Sequence, residues 1–573
     1  MREQRRTIIL MPVPRCSPTA MKQTTKTIIH SVSHLLLFGG VILAVASLEQ
    51  PTESTPLEQP TRQTSADNSV ASTVSAPQTH ASVRVASSNT TKALPSSLSP
   101  KHDSITAAVQ REYVYHMFSA PNDPQYSGDW TLTRVNAPAA WNIATGNGST
   151  TVAVIDGGFA LAHEDLASRW FTNSGEAGMT QSGGRCWTGT TVDKQTNSCD
   201  DDNNGYIDDW RGWSFTQHDN NPQTGRQNPN GVGTTHGTEV TGLVGAAGNN
   251  GVGNAAINWN TKIMPLQVLD DAGIGYTSGV TSAVYYAVDN GAQVINLSLG
   301  AYADDPAMKA AVTYATNHNV VVVAASGNCG DGSGSECVGV PAGTVAYPAA
   351  YPDTIAVGAT TASNLRASFS SYGQSIDVSA PGYAIPSSPS WSAANPTSLY
   401  SSPLYGTSFS SPQVASLVAL IKSIRPSSSI GDITALIDAT ATKPAAMNGL
   451  LYSPQFGHGI INAGSALTIA NTLNATATVT PTLAQVGSFQ SEHTTPAGTT
   501  LGTGCQISNG NACVIQLFGS SGYKRYLPYQ VASVSGSVGW TWSSDMLDAD
   551  SWEIRARRGD SVSTTPYYLL KKG

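Results

Sequence analysis

Residues 152–158 read Val-Ala-Val-Ile-Asp-Gly-Gly. Four apolar residues in a row, without alternation, suit a strand covered on both faces, because a strand with one wet face alternates apolar and polar. The run stops at an acid and two glycines, so Asp156 stands where a buried strand ends and a loop begins. Functional side chains of open parallel sheets gather at that carboxyl edge. Alone, an acid there equally suits a turn or a cap.

Moving outward, 263–269, Val294–Leu297 and 320–325 are apolar in the same way but for Gln267 and Asn296. Helical patterns separate them: one spans 277–290 and is closed by Gly291, and another has Asp305 as N-cap with Pro306 at its first position. This alternation predicts an α/β domain over 121–472, a mainly parallel sheet flanked by helices. Beyond 473 the chain alternates Thr, Val, Ser and Gly around Trp540, Trp542 and Trp552. A small all-β domain is expected at 473–573, its tryptophans read as core in preference to a carbohydrate platform.

The first 120 residues are different in kind. Arg2, Arg5, Arg6, Lys22 and Lys26 precede an apolar run at 35–46 that ends Ala44-Val45-Ala46, the layout of a signal peptide, with Met21 as an alternative start. The run is shorter than the roughly 20 residues of a spanning helix, so a secreted chain with no stable membrane span in its mature form is expected, and a retained anchor is the weaker reading. Residues 47–120 are rich in Ser, Thr and Pro and read as a linker or pro-segment, with room for one short helix at 104–118. Of seven cysteines, Cys16 leaves with the leader. Cys186 and Cys199, Cys329 and Cys337, and Cys505 and Cys513 fall into local pairs, a disulfide set for an exported chain, with free buried thiols as the alternative. A formal net charge of -8, with no basic run past the N-terminus, excludes phosphate attraction as a mode of action, so no nucleic-acid partner is expected.

Two further segments carry chemistry. His236 lies in Thr-Thr-His-Gly-Thr at the start of an apolar helix, and Ser408 lies in Gly-Thr-Ser-Phe-Ser-Ser-Pro before another. The aligned amides at that second helix start favour negative charge developing near Ser408. A serine hydroxyl needs such help and a neighbouring base to become a nucleophile. With Asp156, these segments resemble the subtilisin-like serine protease family, whose triad runs Asp, His, Ser along the chain. The resemblance covers about 121–472 and includes Val294 to Gly300, Ala325 to Asn328, Tyr347-Pro348-Ala349 and Ser379-Ala380-Pro381-Gly382.

The resemblance implies that Ser408 attacks the scissile carbonyl, His236 shuttles the proton and Asp156 orients the imidazole. It assigns Asn328 to the oxyanion hole, Ser298, Leu299 and Gly300 to the strand edge that pairs with substrate, and Ala325, Ser326 and Gly327 to a pocket wall. Polypeptide substrates read mainly through their backbone, hence broad specificity, and a monomer are expected. Gly157, Glu239, Thr241, Phe409 and Ser410 depart from the family's commoner residues without removing a reacting atom. A catalytically inert binding protein would ordinarily have lost one of the four reacting residues, and an esterase of another fold would show Gly-x-Ser-x-Gly.

Between Asp156 and His236, residues 200–209 read Asp-Asp-Asp-Asn-Asn-Gly-Tyr-Ile-Asp-Asp. Asp200, Asp202 and Asn204 at alternating positions, Gly205 at the turn, the Tyr206 carbonyl and Asp209 follow the first half of an EF-hand-like loop, so a structural Ca2+ is expected. A solvated acidic turn is the alternative. By resemblance, Asp165 is a second calcium ligand.

Overall fold

The computed structural model describes residues 120–573, apart from 228–232, 387, 393, parts of 475–499, 508–510, 521, 523, 533–535, 548–550, 564–566 and 572–573. The expected leader, the Ser/Thr-rich segment up to 119 and its short helix lie outside the described residues.

The centre is a seven-stranded sheet built from β1 (Thr151–Asp156), β2 (Trp213–Ser214), β3 (Lys262–Gln267), β4 (Val294–Leu297), β5 (Val321–Ala325), β6 (Thr354–Thr360) and β7 (Val378–Pro381). Its order is β2-β3-β1-β4-β5-β6-β7, with every neighbouring pair parallel. The helices are α1 (Trp130–Arg134), α2 (Ala137–Trp141), α3 (Gly233–Gly245), α4 (Thr277–Asp289), α5 (Pro306–Asn317), α6 (Ser411–Ile424), α7 (Ile430–Thr440) and α8 (Ala463–Asn474).

Helices cover both faces, which is why the strands lack alternation. Val152, Val154, Val321 and Val323 pack with residues of α3, α6 and α8 in one cluster. Ala153, Ile155, Ile295 and Val322 pack with residues of α4 and α5 in the other. Asp305 caps α5 as its sequence implies, accepting from the Ala307 N–H at 2.8 Å. The strand order reverses at β1, with β3 on one side and β4 on the other, so the crevice of an open sheet opens at the carboxyl ends of β1 and β4.

After α8 the pairing is antiparallel, except that His493–Thr495 runs parallel to Tyr567–Lys571. One sheet joins Thr482–Val486, Thr500–Gln506 and Ser537–Ser543, and another centres on Ala512–Gly519 paired with Ser551–Arg558. Trp540, Trp542 and Trp552 are buried in this β region, so they form its core. All three local cysteine pairs are disulfides.

The β region packs on the α/β region through polar and aromatic groups that are themselves buried. Arg525, 2% exposed, stacks its guanidinium over Tyr452 at 3.5 Å and donates to the Gln374 side chain at 3.2 Å. Beside it His458 sits between the Asp377 carbonyl at 3.0 Å and the Lys524 carbonyl at 3.1 Å. Burial holds this imidazole well below its ordinary value. Ala435 and Ala439 of α7 complete the contact against Val514 and Tyr526. Removing a buried cation from such a site leaves its hydrogen-bond partners unmet, at about 2 kcal/mol. Arg525→Met should therefore lower the free energy of unfolding, measured by urea denaturation, by about that amount while leaving turnover unchanged, as equilibrium unfolding beside steady-state kinetics would show.

Candidate active site

Each element of the site is placed by a local device. Asp156 ends β1, fully buried, and its Oδ1 accepts from the Gly157 N–H at 2.7 Å and from His236 Nδ1 at 2.7 Å. The carboxylate thus fixes the imidazole with its proton on Nδ1, leaving Nε2 as the basic nitrogen. His236 lies in the first turns of α3, whose close approach to the β1 exit depends on its neighbours. A Cβ on Gly237 would run into the Gly158 carbonyl oxygen, and Thr238 Oγ1 accepts from the Ala160 N–H at 3.0 Å. Burial opposes charge on His236, but the charge and hydrogen bond of Asp156, with Glu239 behind, hold its pKa above the ordinary value.

Ser408 sits in the 3₁₀ turn Thr407–Phe409 leading into α6, with Pro412 in that helix's first turn. Its Oγ donates to the Ser298 carbonyl at 3.0 Å, and Ser298 Oγ donates back to the Ser408 carbonyl at 2.7 Å. The residue after β4 therefore clamps the seryl turn from both ends. Asn328, beyond the end of β5, has its amide orientation set by Thr407, whose N–H and Oγ1 both donate to Asn328 Oδ1 at 3.0 Å. Nδ2 is left as the outward donor, 3.8 Å from where a Cβ on Gly406 would stand. Gly406 has φ 145°, a conformation that disfavours any side chain, so that space stays open.

A cleft of about 580 Å³ runs from Asp156 and His236 past Ser298, Leu299 and Gly300 to Met308. Ala325 and Ser326 are buried at the end of β5, and Gly327 has φ 99°.

In the acidic loop the structure gathers a different set of oxygens. Asp202 and Asp209 converge with Glu176, their carboxylate oxygens within 4.8 Å of one another. Asn173 Nδ2 bridges Asp202 and Asp209 at 2.8 and 2.9 Å. Asp200 instead accepts from the Asn204 and Gly205 N–H groups of its own turn, at 3.1 and 2.9 Å. Asn204 Nδ2 donates to Asp209 at 2.9 Å, and the Tyr206 ring packs on Trp213 and Tyr286. Glu176 Oε2 is buried with no partner among the described residues. Burial, then Asp209 and Asp202, push the Glu176 carboxyl up to about 7. Three converging carboxylates with an unmatched buried oxygen fit a hard divalent cation such as Ca2+, which takes oxygen ligands. Glu176 stands well upstream of the loop, so loop spacing could not reveal it. Elsewhere, Asp165 is buried and accepts from Asn250 Nδ2 and the Asn254 N–H, with Asp123 bound to the adjacent Asn249 N–H.

A parallel α/β sheet with an Asp–His pair at its carboxyl edge and a seryl turn on a helix start beside them defines a serine-type endopeptidase. The chain belongs to the subtilase family, whose profile matches residues 146–459. It is 35% identical to thermitase of Thermoactinomyces vulgaris over 325 residues, 56% of this chain and 92% of that protein. It is also 31% identical to subtilisin amylosacchariticus of Bacillus subtilis subsp. amylosacchariticus over 366 residues, 64% and 76% of the two chains. Alkaline elastase YaB of a Bacillus species is 38% identical over 234 residues, 41% of this chain and 55% of the relative.

Because α3 and the β1 exit are in backbone contact, Gly237→Ala should displace His236 relative to Asp156. A misplacement of about 1 Å can cost roughly 100-fold, so kcat/KM on a peptide substrate is expected to fall by about that factor with the fold retained by circular dichroism.

Proposed function

We propose that this protein is a secreted endopeptidase of broad specificity that hydrolyses polypeptides through a triad of Ser408, His236 and Asp156, acting as a monomer. The observation that carries the reading is the Asp156 Oδ1 to His236 Nδ1 hydrogen bond of 2.7 Å, with the seryl turn packed beside this imidazole through Phe409.

The proton of Ser408 Oγ leaves its resting partner, the Ser298 carbonyl, for His236 Nε2 as Oγ attacks the scissile carbonyl carbon. The imidazolium so formed is stabilised by Asp156, which keeps its own charge. The substrate oxygen gains negative charge and is met by Asn328 Nδ2 and the Ser408 N–H. His236 returns the proton to the leaving amine, which departs and leaves an acyl-enzyme. Water, deprotonated by the same imidazole, then releases the acid and restores the seryl hydroxyl. Ser298, Leu299 and Gly300 offer backbone groups to the extended chain upstream of the cut, while Ala325, Ser326 and Gly327 wall the adjoining side-chain pocket. Backbone pairing of this kind supports breadth of specificity.

Glu176, Asp202 and Asp209 would hold Ca2+, with Asp200, Asn204 and the Tyr206 carbonyl shaping the loop around it; Asp165 is proposed as part of a second such site. Bound calcium supplies charge neutralisation for these carboxylates and takes no part in bond cleavage. The three disulfides support an extracellular location.

The test is cleavage of casein by wild type, Ser408→Ala and Asn328→Ala, with and without a calcium chelator. Wild type should cut and Ser408→Ala should not. Asn328→Ala should lose about 100- to 1000-fold in kcat, the range found for this donor in subtilisin-type sites. The chelator should shorten the active lifetime. Wild type inert with calcium present and its N-terminal segment removed would overturn the reading in favour of an inert binding protein.

A pH dependence follows. His236 must be neutral to accept the seryl proton, so activity is lost as pH falls through its raised pKa, and the acid limb of kcat/KM should lie above the ordinary histidine value. Glu239 contributes to that elevation, so Glu239→Gln should move the limb toward lower pH in a kcat/KM profile.

A further inference from the structure

One bank of the cleft is a narrow hairpin, residues 269–275, with Leu269 bridged antiparallel to Gly275. It is rooted directly on the catalytic strand, since the Val268 and Leu269 N–H groups both donate to the Asp156 carbonyl, at 2.8 and 3.3 Å. Its tip is closed by Asp270, whose Oδ1 accepts from the Ala272 and Ile274 N–H groups, each at 2.9 Å. Little packing supports it, for Ile274 is 57% and Tyr276 78% exposed. A hairpin with so little buried surface needs another restraint to hold one position.

Asp271 supplies that restraint. It is 1% exposed, and it is not among the residues that line the cleft. Its Oδ1 accepts from the Gly225 N–H at 3.0 Å and its Oδ2 from the Gln227 N–H at 2.5 Å. The segment it grips is itself anchored. Thr224 N–H donates to the Phe159 carbonyl at 3.1 Å, Phe159 N–H to the Pro222 carbonyl at 3.0 Å, and Arg226 pairs with the Asp219 carboxylate. Phe159 follows directly on the loop that leaves Asp156. Beyond Gln227 the chain leads on to α3 and His236, with 228–232 outside the described residues.

We propose that Asp271 is a positioning residue that holds the cleft-bank hairpin to the segment between Asp156 and His236, and so sets how a polypeptide is bound upstream of the cut. This rests on the endopeptidase reading given above. A carboxylate suits the task because both its oxygens accept, one for each N–H. An amide offers one acceptor and one donor, so Asn at 271 would turn an N–H group against an N–H group.

The test compares wild type, Asp271→Asn and Ser408→Ala on two substrates: a peptide extending several residues upstream of the cut, and a minimal ester that reaches only the seryl turn. For Asp271→Asn, KM on the long peptide is expected to rise about 10-fold with kcat within about twofold, the loss expected for hydrogen bonds to a charged acceptor. On the ester both constants should stay within about twofold. Equal losses on both substrates, or an unchanged KM for the long peptide, would overturn the proposal while leaving the endopeptidase reading intact. Wild type that cleaves neither substrate would overturn both. If Asp271→Asn does not fold, Arg226→Gln loosens the same segment from an exposed position and should give the same split, and its absence there would equally overturn the proposal.

Discussion

The structure turns on a buried carboxylate. Asp156 lies at the end of a strand sealed on both faces, where an unpaired charge would be costly. What meets it are two N–H groups, from Gly157 and from the imidazole of His236, which reaches it because α3 can approach the strand exit closely. That approach depends on Gly237, on Thr238 and on the loop through Gly158, whose backbone leaves room for the helix. The oxygen that accepts both bonds, Oδ1, orients the imidazole and raises its basicity, while Oδ2 is buried with no hydrogen-bond partner among the described residues.

The remaining parts follow from the reversal of strand order at β1. It opens a crevice between the ends of β1 and β4, and the residue after β4, Ser298, grips the seryl turn from both ends. The same turn fixes Asn328 from across β5, because Thr407 occupies both acceptor directions of the Asn328 oxygen and leaves the NH2 facing outward. A few short contacts between neighbouring strand ends thus align groups that are far apart in the chain. The β region behind the sheet adds a different constraint. Arg525 and His458 are buried where the two parts meet, with Lys443 half-buried beside them; desolvation brings Lys443 down to about 8, although the charge of Asp438 opposes the shift. Polar groups enclosed at that depth make the β region part of the folded unit and not an ornament on it.

Much of this was legible before any coordinates. The strand ending at Asp156, the helix opening at His236 and the seryl turn before Pro412 each announce themselves by an apolar run that breaks at small or capping residues, and short-range chemistry decides such features. The parallel sheet was legible from strands lacking alternation, and Asp305 from its place before Pro306. The two-residue strand Trp213–Ser214 and the strand Val378–Pro381, which ends in proline, were not, because their pairing partners and not their own composition make them strands.

The sequence by itself determined the fold class and brought an acid, a histidine, an asparagine and a serine into the order and local settings of a subtilase, since helix starts, strand ends and glycine-dependent turns are written within a few residues. Only the tertiary structure decided that Glu176 joins Asp202 and Asp209, that Asp200 turns back on its own loop, and that Asp271 ties the cleft bank to the approach to His236. Apart from the turn at Asp200, these contacts join segments separated by tens of residues, and all are made by carboxylates whose local sequence suits a solvated turn equally well. Which oxygen is buried, and against what, depends on how the insertion folds over the edge of the sheet.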